Sequence, residues 1–310
     1  MTSPFGSLAV IANPRAGRGR VAAELPTLER GLSARDLDYK LSTTSGPGDA
    51  TELARAALED GCRFLVAVGG DGTVAEVVNG MFRQGSTIVE EPVLGVVAAT
   101  SGCDLVRSFG LPPDTDAACG HLVGDNTYRF DLMKITCMGT EGDRITRYGH
   151  NLAEVGLGGE IARRLARMPA RRGSNAGRFL SFWSAYLTTR TWQVKVDVDN
   201  KGYEGPAYNI VVANGQFTSG GMRLSPRSFP GDGVLDALVF HGPRSNAYTM
   251  LPRLFRHGDH IPDPDIGEYR AKIRIAVDGD APMPVVCDGE VIGSTPATFQ
   301  VVPQQILVKL

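Results

Sequence analysis

Over residues 7–100, short β-rich runs alternate strictly with longer helical patterns, and this alternation restricts the fold more than any other feature. SLAVIAN (7–13), DYKLST (38–43), RFLVAVGG (63–70) and EPVLGVVAAT (91–100) read as strands. Between them RVAAELPTLERGL (20–32), DATELARAALEDG (49–61) and TVAEVVNGM (73–81) carry apolar residues near helical spacing, despite Pro26 in the first. Asp49 is placed to cap the second helix and Gly61 to end it. Strands joined through helices by short links run parallel, and a parallel sheet is covered on both faces. This part of the chain is expected to be α/β.

From about residue 128 the texture changes. YRFDLMKIT, RYGHNLAEVGL, WQVKVDVD, YNIVVANG, GVLDALVF, YRAKIRIAV, MPVVCDG and QILVKL are short β-rich runs separated by Gly, Pro, Asn and Asp. They predict an antiparallel β-sandwich. Helical patterns interrupt it at 158–168, 177–189 and 245–258. Two domains are expected, an α/β domain over 1–125 and a β-sandwich over 126–310, with the last strands able to return to the first domain.

The charge balance, 32 Lys+Arg against 34 Asp+Glu, gives no basic field for nucleic acid, so an anionic ligand must be met by local groups. Five scattered cysteines without a C-x-x-C pair argue against a disulfide framework and against a zinc site. No stretch approaches the roughly 20 apolar residues of a membrane-spanning helix. The expectation is a soluble, cytoplasmic protein that can still touch the inner face of a membrane, with a homodimer left open.

The third strand runs straight into Gly69-Gly70-Asp71-Gly72-Thr73 and then into a helix. Glycine lets the main chain approach a phosphate, and the exposed amides and helix dipole favour negative charge. The turn is neither a Walker loop nor G-x-G-x-x-G. Asp71 stands out, because an acid beside a phosphate is costly unless a cation lies between them.

GGDGT occurs in order with NPRAGRGR (13–20), TTSGPGDATELA (43–54), NGQFTSGGMRLSP (214–226), PGDGVLDALVF (230–240) and CDGE (287–290). This combination resembles the diacylglycerol kinase catalytic-domain family over nearly the whole chain. Members are lipid kinases acting on diacylglycerol, sphingoid bases and ceramide, distantly similar to NAD kinases and of a phosphofructokinase-like fold. The resemblance implies an α/β domain contributing the glycine turn, a β-sandwich domain behind it, and ATP with Mg²⁺ in the cleft between them. It implies nucleotide contacts at Asn13, Gly17, Thr44, Gly69, Gly70, Asp71, Gly72, Thr73 and Ser101. Asp232 matches an acid that resembles a structural Mg²⁺ site, completed here by the carbonyls of Phe229 and Val234. Glu290 matches the carboxylate that would accept a proton from the lipid hydroxyl, with Asp71 and Asp104 positioning the metal. By itself, CDGE reads as a hairpin turn.

The family's second loop, roughly P-x-G-T-x-N-D, is altered here to Ala98-Ala99-Thr100-Ser101-Gly102-Cys103-Asp104, followed by Arg107. Thr100 would cost about 1 kcal/mol in a left-handed conformation. Loss of one well-placed donor in a charged site costs on the order of 3 kcal/mol, about a hundredfold in rate. Three readings follow: a lipid kinase with a retuned loop, a degenerate kinase that binds nucleotide or lipid, and a kinase for a non-lipid metabolite. Cys103 as an activated nucleophile is disfavoured, since no histidine lies near it in sequence.

On the acceptor side Arg163, Arg164, Arg167, Arg171, Arg172 and Arg178 precede Phe179, Phe182, Trp183 and Tyr186. Such a patch either meets anionic lipid or is an ordinary solvated face with a packed helix behind it. His257 and His260 straddle a turn and read as surface residues, and DGD at 278–280 as another turn.

Overall fold

The computed structural model describes residues 3–99, 103–167, 183–218, 220–243, 253–254 and 258–310. The chain divides into two compact units. The first comprises Met1–Leu132, Phe217–Gly221 and Val302–Leu310; the second comprises Met133–Gln216 and Met222–Val301.

Strand and helix alternate at the start: β1 (Leu8–Ala12), α1 (Ala16–Ser33), β2 (Tyr39–Thr43), α2 (Asp49–Glu59), β3 (Phe64–Val68) and α3 (Asp71–Gly80). A hairpin of β4 (Phe82–Arg83) and β5 (Ser86–Thr87) leads to β6 (Val93–Val97), α4 (Asp104–Phe109) and α5 (Thr115–His121). There follow β7 (Thr127–Met138), β8 (Arg144–Gly149), β9 (Leu152–Gly156), α6 (Leu157–Ala166), β10 (Trp192–Val198) and β11 (Lys201–Ala207). Next come β12 (Asn209–Ala213), the two-residue strands β13 (Phe217–Thr218) and β14 (Met222–Arg223), and β15 (Leu235–Phe240). The chain closes with β16 (Ile266–Ala271), β17 (Arg274–Gly279), β18 (Pro284–Cys287) and the long β19 (Glu290–Lys309).

In the first unit the sheet order is β2-β1-β3-β6, and the end of β19 joins parallel to β6 at Leu307 and Val308. The pairings along this order are parallel. The apolar runs LAVIA, FLVAV and VLGVV are buried along their whole length, as a sheet covered on both faces requires. One face, with Leu8, Val10, Val66 and Val68, packs on Val21, Leu28 and Leu32 of α1 and on Ala118 and Cys119 of α5. On the other side α2 packs on β1 and α3 on β3, and the two helices pack together. Their approach is close: a Cβ on Gly80 would lie 2.5 Å from the carbonyl oxygen of Thr51.

The first helical pattern is broken at its start. Gly17, Arg18 and Gly19 have φ of 61°, 63° and 87°, so regular α1 begins where the periodicity at 20–32 places it. Asp49 does not cap α2. The N-cap is Gly48 (φ 86°), and Glu76 of α3 accepts from the backbone N–H of Gly48 and Ala50 at 3.0 and 3.1 Å. Asp49 instead accepts from the backbone of Ser45 and Gly46 and from the Ser45 hydroxyl. These bonds lower its pKa, the Ser45 hydroxyl contributing most.

The second unit is an antiparallel β-sandwich. One sheet runs β16-β15-β12-β9-β18-β19 and the other β11-β10-β17-β19-β7-β8. Alternation in β10 turns Trp192, Val194, Val196 and Val198 into a core shared with Ala153, Val155, Val285 and Phe299. The opposite face of the first sheet, with Leu152, Val211 and Leu238, is covered by Leu157, Ala185 and Tyr186. The run RYGHNLAEVGL is split into the end of β8 and β9, with His150 and Asn151 between them. His260 is fully buried, its Nε2 3.0 Å from the carbonyl oxygen of Leu224, which corrects its reading as a surface residue. Four cysteines are buried, Cys62 is half-buried, and all five are free. No described helix is long and apolar enough to cross a membrane.

Candidate functional site

Parallel pairing sets the first-unit site. Ala12 lies beside Thr43 and Val68, and Val68 beside Val97, so these four residues end their strands at one level. The next residues, Asn13, Thr44, Gly69 and Ala98, therefore form a row across the carboxyl end of the sheet, where open α/β folds bind ligands. Backbone bonds hold the row: Asn13 N–H donates to Val68, Thr44 N–H to Ala12 and Gly69 N–H to Val97, at 3.0, 2.9 and 3.1 Å.

Within this row, Asn13 Nδ2 donates to Thr73 Oγ1 at 3.4 Å, joining the first turn to the glycine turn. Asn13 Oδ1 accepts from Arg15 N–H, and the left-handed residues from Gly17 follow. Gly69 leaves no room for a side chain unless Thr73 shifts, because its Cβ would fall 2.7 Å from Thr73 Cβ and closer still to Oγ1. A Cβ at Gly72 would meet open space, so the main chain there is accessible to a ligand. Asp71 opens α3 and accepts from the Asp104 N–H at 2.8 Å, which fixes the start of α4 against the glycine turn.

In the altered loop, Ala98, Ala99 and Cys103 are buried, and Ser101 lies outside the described residues. Cys103 forms the N-cap of α4 without a side-chain cap bond. Burial first, and then the charge and hydrogen bond of Asp71, push its thiol far up, so it stays protonated and is no nucleophile. Asp104 is 2% exposed and accepts from the Gly220 N–H at 3.4 Å. Arg107 donates to the Gly220 carbonyl at 3.2 Å and lies over the Phe217 ring, 6.0 Å from its centre. Gly221 (φ 124°) lets that segment approach, since its Cβ would lie 3.2 Å from Arg107 Cζ. No local pattern assigns Phe217–Gly221 to the first unit; the signal in the sequence is the glycine pair at 220–221 three residues after an aromatic one.

In the second unit, Asp288 (φ 48°) and Gly289 (φ 87°) form the two-residue turn between β18 and β19, as CDGE alone suggests. Glu290 is exposed at the first position of β19, opposite Cys287. The Asp288 side chain is fully buried and accepts from the N–H groups of His150, Asn151 and Leu152 at 2.9, 3.1 and 3.0 Å. Nδ1 of His150 lies 2.8 Å from Asp288 Oδ2. Burial raises the carboxyl of Asp288, but the His150 charge and these bonds outweigh it and hold the pKa below 3.8. The backbone between β8 and β9 is thus tied to the turn that carries Glu290. Neither His150 nor this role of Asp288 was legible beforehand.

The metal ligands implied at Asp232, Phe229 and Val234 do not fit a divalent cation. Asp232 Oδ1 accepts from Val234 N–H at 3.1 Å and Oδ2 from Arg270 at 2.7 Å. The carbonyl of Phe229 accepts from Gly231 and Asp232 at 2.9 and 3.4 Å. A guanidinium already neutralises the carboxylate and repels a second cation.

Of the basic patch, Arg163 pairs with Glu160, and Arg164 donates to Ser184 and Thr188. Arg171, Arg172, Arg178, Phe179 and Phe182 lie outside the described residues, as does His257.

The diacylglycerol kinase catalytic domain profile matches residues 7–135, and the YegS C-terminal NAD kinase beta sandwich-like domain matches residues 153–310. A diacylglycerol kinase of Staphylococcus haemolyticus is 26% identical over 293 residues, 94% of this chain and 84% of the relative. That of Bacillus subtilis is 24% identical, covering 94% of this chain and 91% of its own. The fold matches a crystal structure of a diacylglycerol kinase from Bacillus anthracis with a TM-score of 0.70 at 21% identity, covering 99% and 97% of the two chains. With both halves matched in order, the chain belongs to the diacylglycerol kinase catalytic-domain family.

Proposed function

We propose that the protein transfers the γ-phosphoryl group of ATP to a hydroxyl of diacylglycerol or a related long-chain lipid alcohol, in phospholipid metabolism. The observation that carries this reading is the row Asn13, Thr44 and Gly69 at the carboxyl end of the parallel sheet, with the Asp71 carboxylate bonded to the start of α4. Phosphoryl transfer needs positioning and charge neutralisation more than covalent help from the protein. The turn from Gly69 to Thr73 offers backbone N–H groups and a helix start to phosphates, with Asn13 fixing Thr73. Asp71 offers hard oxygen donors suited to Mg²⁺, which when bound would neutralise charge on the transferring group, while Asp104, 3.7 Å from the Arg107 guanidinium, positions Asp71 through its backbone N–H. Glu290, exposed and set by the Asp288 turn, accepts the proton of the attacking hydroxyl.

Peripheral contact with anionic membrane through the Arg163–Arg178 region belongs to the same proposal, since the acceptor is a membrane lipid. The test is a thermal-shift titration with ATP and Mg²⁺, followed by label transfer from ATP into a panel of lipids and soluble alcohols. At a hundredfold excess over the dissociation constant, ATP adds about 2.7 kcal/mol of stability. Stabilisation by ATP with label in lipid supports the proposal. Stabilisation without transfer indicates a binding protein, and label only in soluble acceptors a metabolite kinase.

A further inference from the structure

The turn after Phe229 holds a cation made by the chain itself. Register places Asp236 of β15 directly opposite Arg270 of β16. The Arg270 guanidinium bridges two carboxylates, with Nε 3.0 Å from Asp236 Oδ1 and Nη2 2.7 Å from Asp232 Oδ2. Asp236 is buried and also accepts from the Ser228 hydroxyl at 2.7 Å, and Ser228 is linked to Ser225 at 2.7 Å. Asp236 of β15 is therefore committed to Arg270 and Ser228, and Asp232 in the preceding turn to Arg270 and Val234 N–H. The acid of β16, Glu268, is paired with Arg227 at 2.7 Å.

A divalent cation at this turn needs carboxylate and carbonyl lone pairs converging on one point, free of competing positive charge. Here a guanidinium lies where the charge of such an ion would act, and its fork satisfies two acids at once. We propose that Arg270 replaces the divalent ion that the D-G-x-L-D turn implies, so that this part of the second unit is held without metal. The inference concerns stability in the absence of nucleotide and does not depend on the proposed reaction.

The test is thermal unfolding of the full chain without nucleotide, in EDTA and in millimolar Mg²⁺, for the wild type, Arg270→Gln, Arg270→Lys and Asp232→Asn. The wild type is expected to unfold at the same temperature in both media. Arg270→Gln should lose about 2–4 °C in EDTA and recover part of the loss in Mg²⁺, whereas Arg270→Lys, which keeps the charge, should show no Mg²⁺ response. A Mg²⁺-dependent gain in the wild type that Asp232→Asn removes would overturn the inference. So would an Arg270→Gln protein that loses stability without any response to Mg²⁺, or one as stable in EDTA as the wild type. If Arg270→Gln does not fold, the comparison of wild type with Asp232→Asn decides alone: no Mg²⁺ gain in the wild type supports the inference, and a gain that depends on Asp232 refutes it.

Discussion

Gly69 and Asp71 show how much of the site rests on single atoms. A methyl group at Gly69 must displace Thr73, whose Cβ would be 2.7 Å away, and Thr73 is buried and bonded to Asn13. Gly69→Ala is expected to lower stability by about 1–3 kcal/mol, read by denaturant unfolding, and to weaken ATP binding with it. Asp71→Asn keeps an oxygen able to accept from Asp104 N–H but removes the charge. It should leave the fold intact while reducing phosphoryl transfer about 10²–10³-fold, measured as initial rate at saturating ATP. The glycine turn was legible because an apolar strand, three glycines and a helix start occupy consecutive positions. The thiol of Cys103 was not, since only the fold shows that it is buried against Asp71 rather than facing a ligand.

Elements are joined by polar groups whose partners are distant in sequence. Glu76 of α3 caps α2 and Asp288 ties down the residues between β8 and β9, and no local pattern announces either. Hydrophobic alternation could find β10 because one face meets the core; it could not split the run 147–157, whose break is set by Asp288, 137 residues from Asn151. Glu154 on β9 shows a cost of such placement. Burial raises its pKa above 4.5, against the opposing bond from Asn209. The folded state thus binds this proton more tightly than the unfolded chain, so the stability it contributes is complete below pH 4.5 and is lost as pH rises through the folded value. Glu154→Gln, which cannot ionise and keeps an acceptor for Asn209, is expected to raise Tm at neutral pH and leave it unchanged in acid.

At the scale of the molecule, composition and alternation were enough to separate an α/β part from a β-sandwich part. They could not place Phe217–Gly221 in the first unit, because that depends on the bond Gly220 N–H donates to Asp104 and the one its carbonyl accepts from Arg107. His121 contributes a loss of stability in mild acid, opposite in sign to the contribution of Glu154. Burial lowers the pKa of His121 from 6.5 to about 4, the charge of Lys309 adding to the effect. Between those values the unfolded chain takes up a proton that the folded chain does not, so stability falls as pH drops through this window, by at most about 3 kcal/mol. Asp288, whose pKa is lowered, adds its loss only below 3.8. Unfolding from pH 7 to 4 should be flatter for His121→Gln than for the wild type.

The central claim is that Glu290 takes the proton of a lipid hydroxyl while the turn at 69–73 holds the nucleotide. Its most direct measurement is transfer of labelled γ-phosphate from ATP to diacylglycerol in vesicles by the wild type and by Glu290→Gln, with ATP affinity measured for both. The account predicts label in the lipid with the wild type, almost none with Glu290→Gln, and equal ATP affinity. Equal turnover by the two proteins, or ATP binding by the wild type with no label in any lipid, would contradict it.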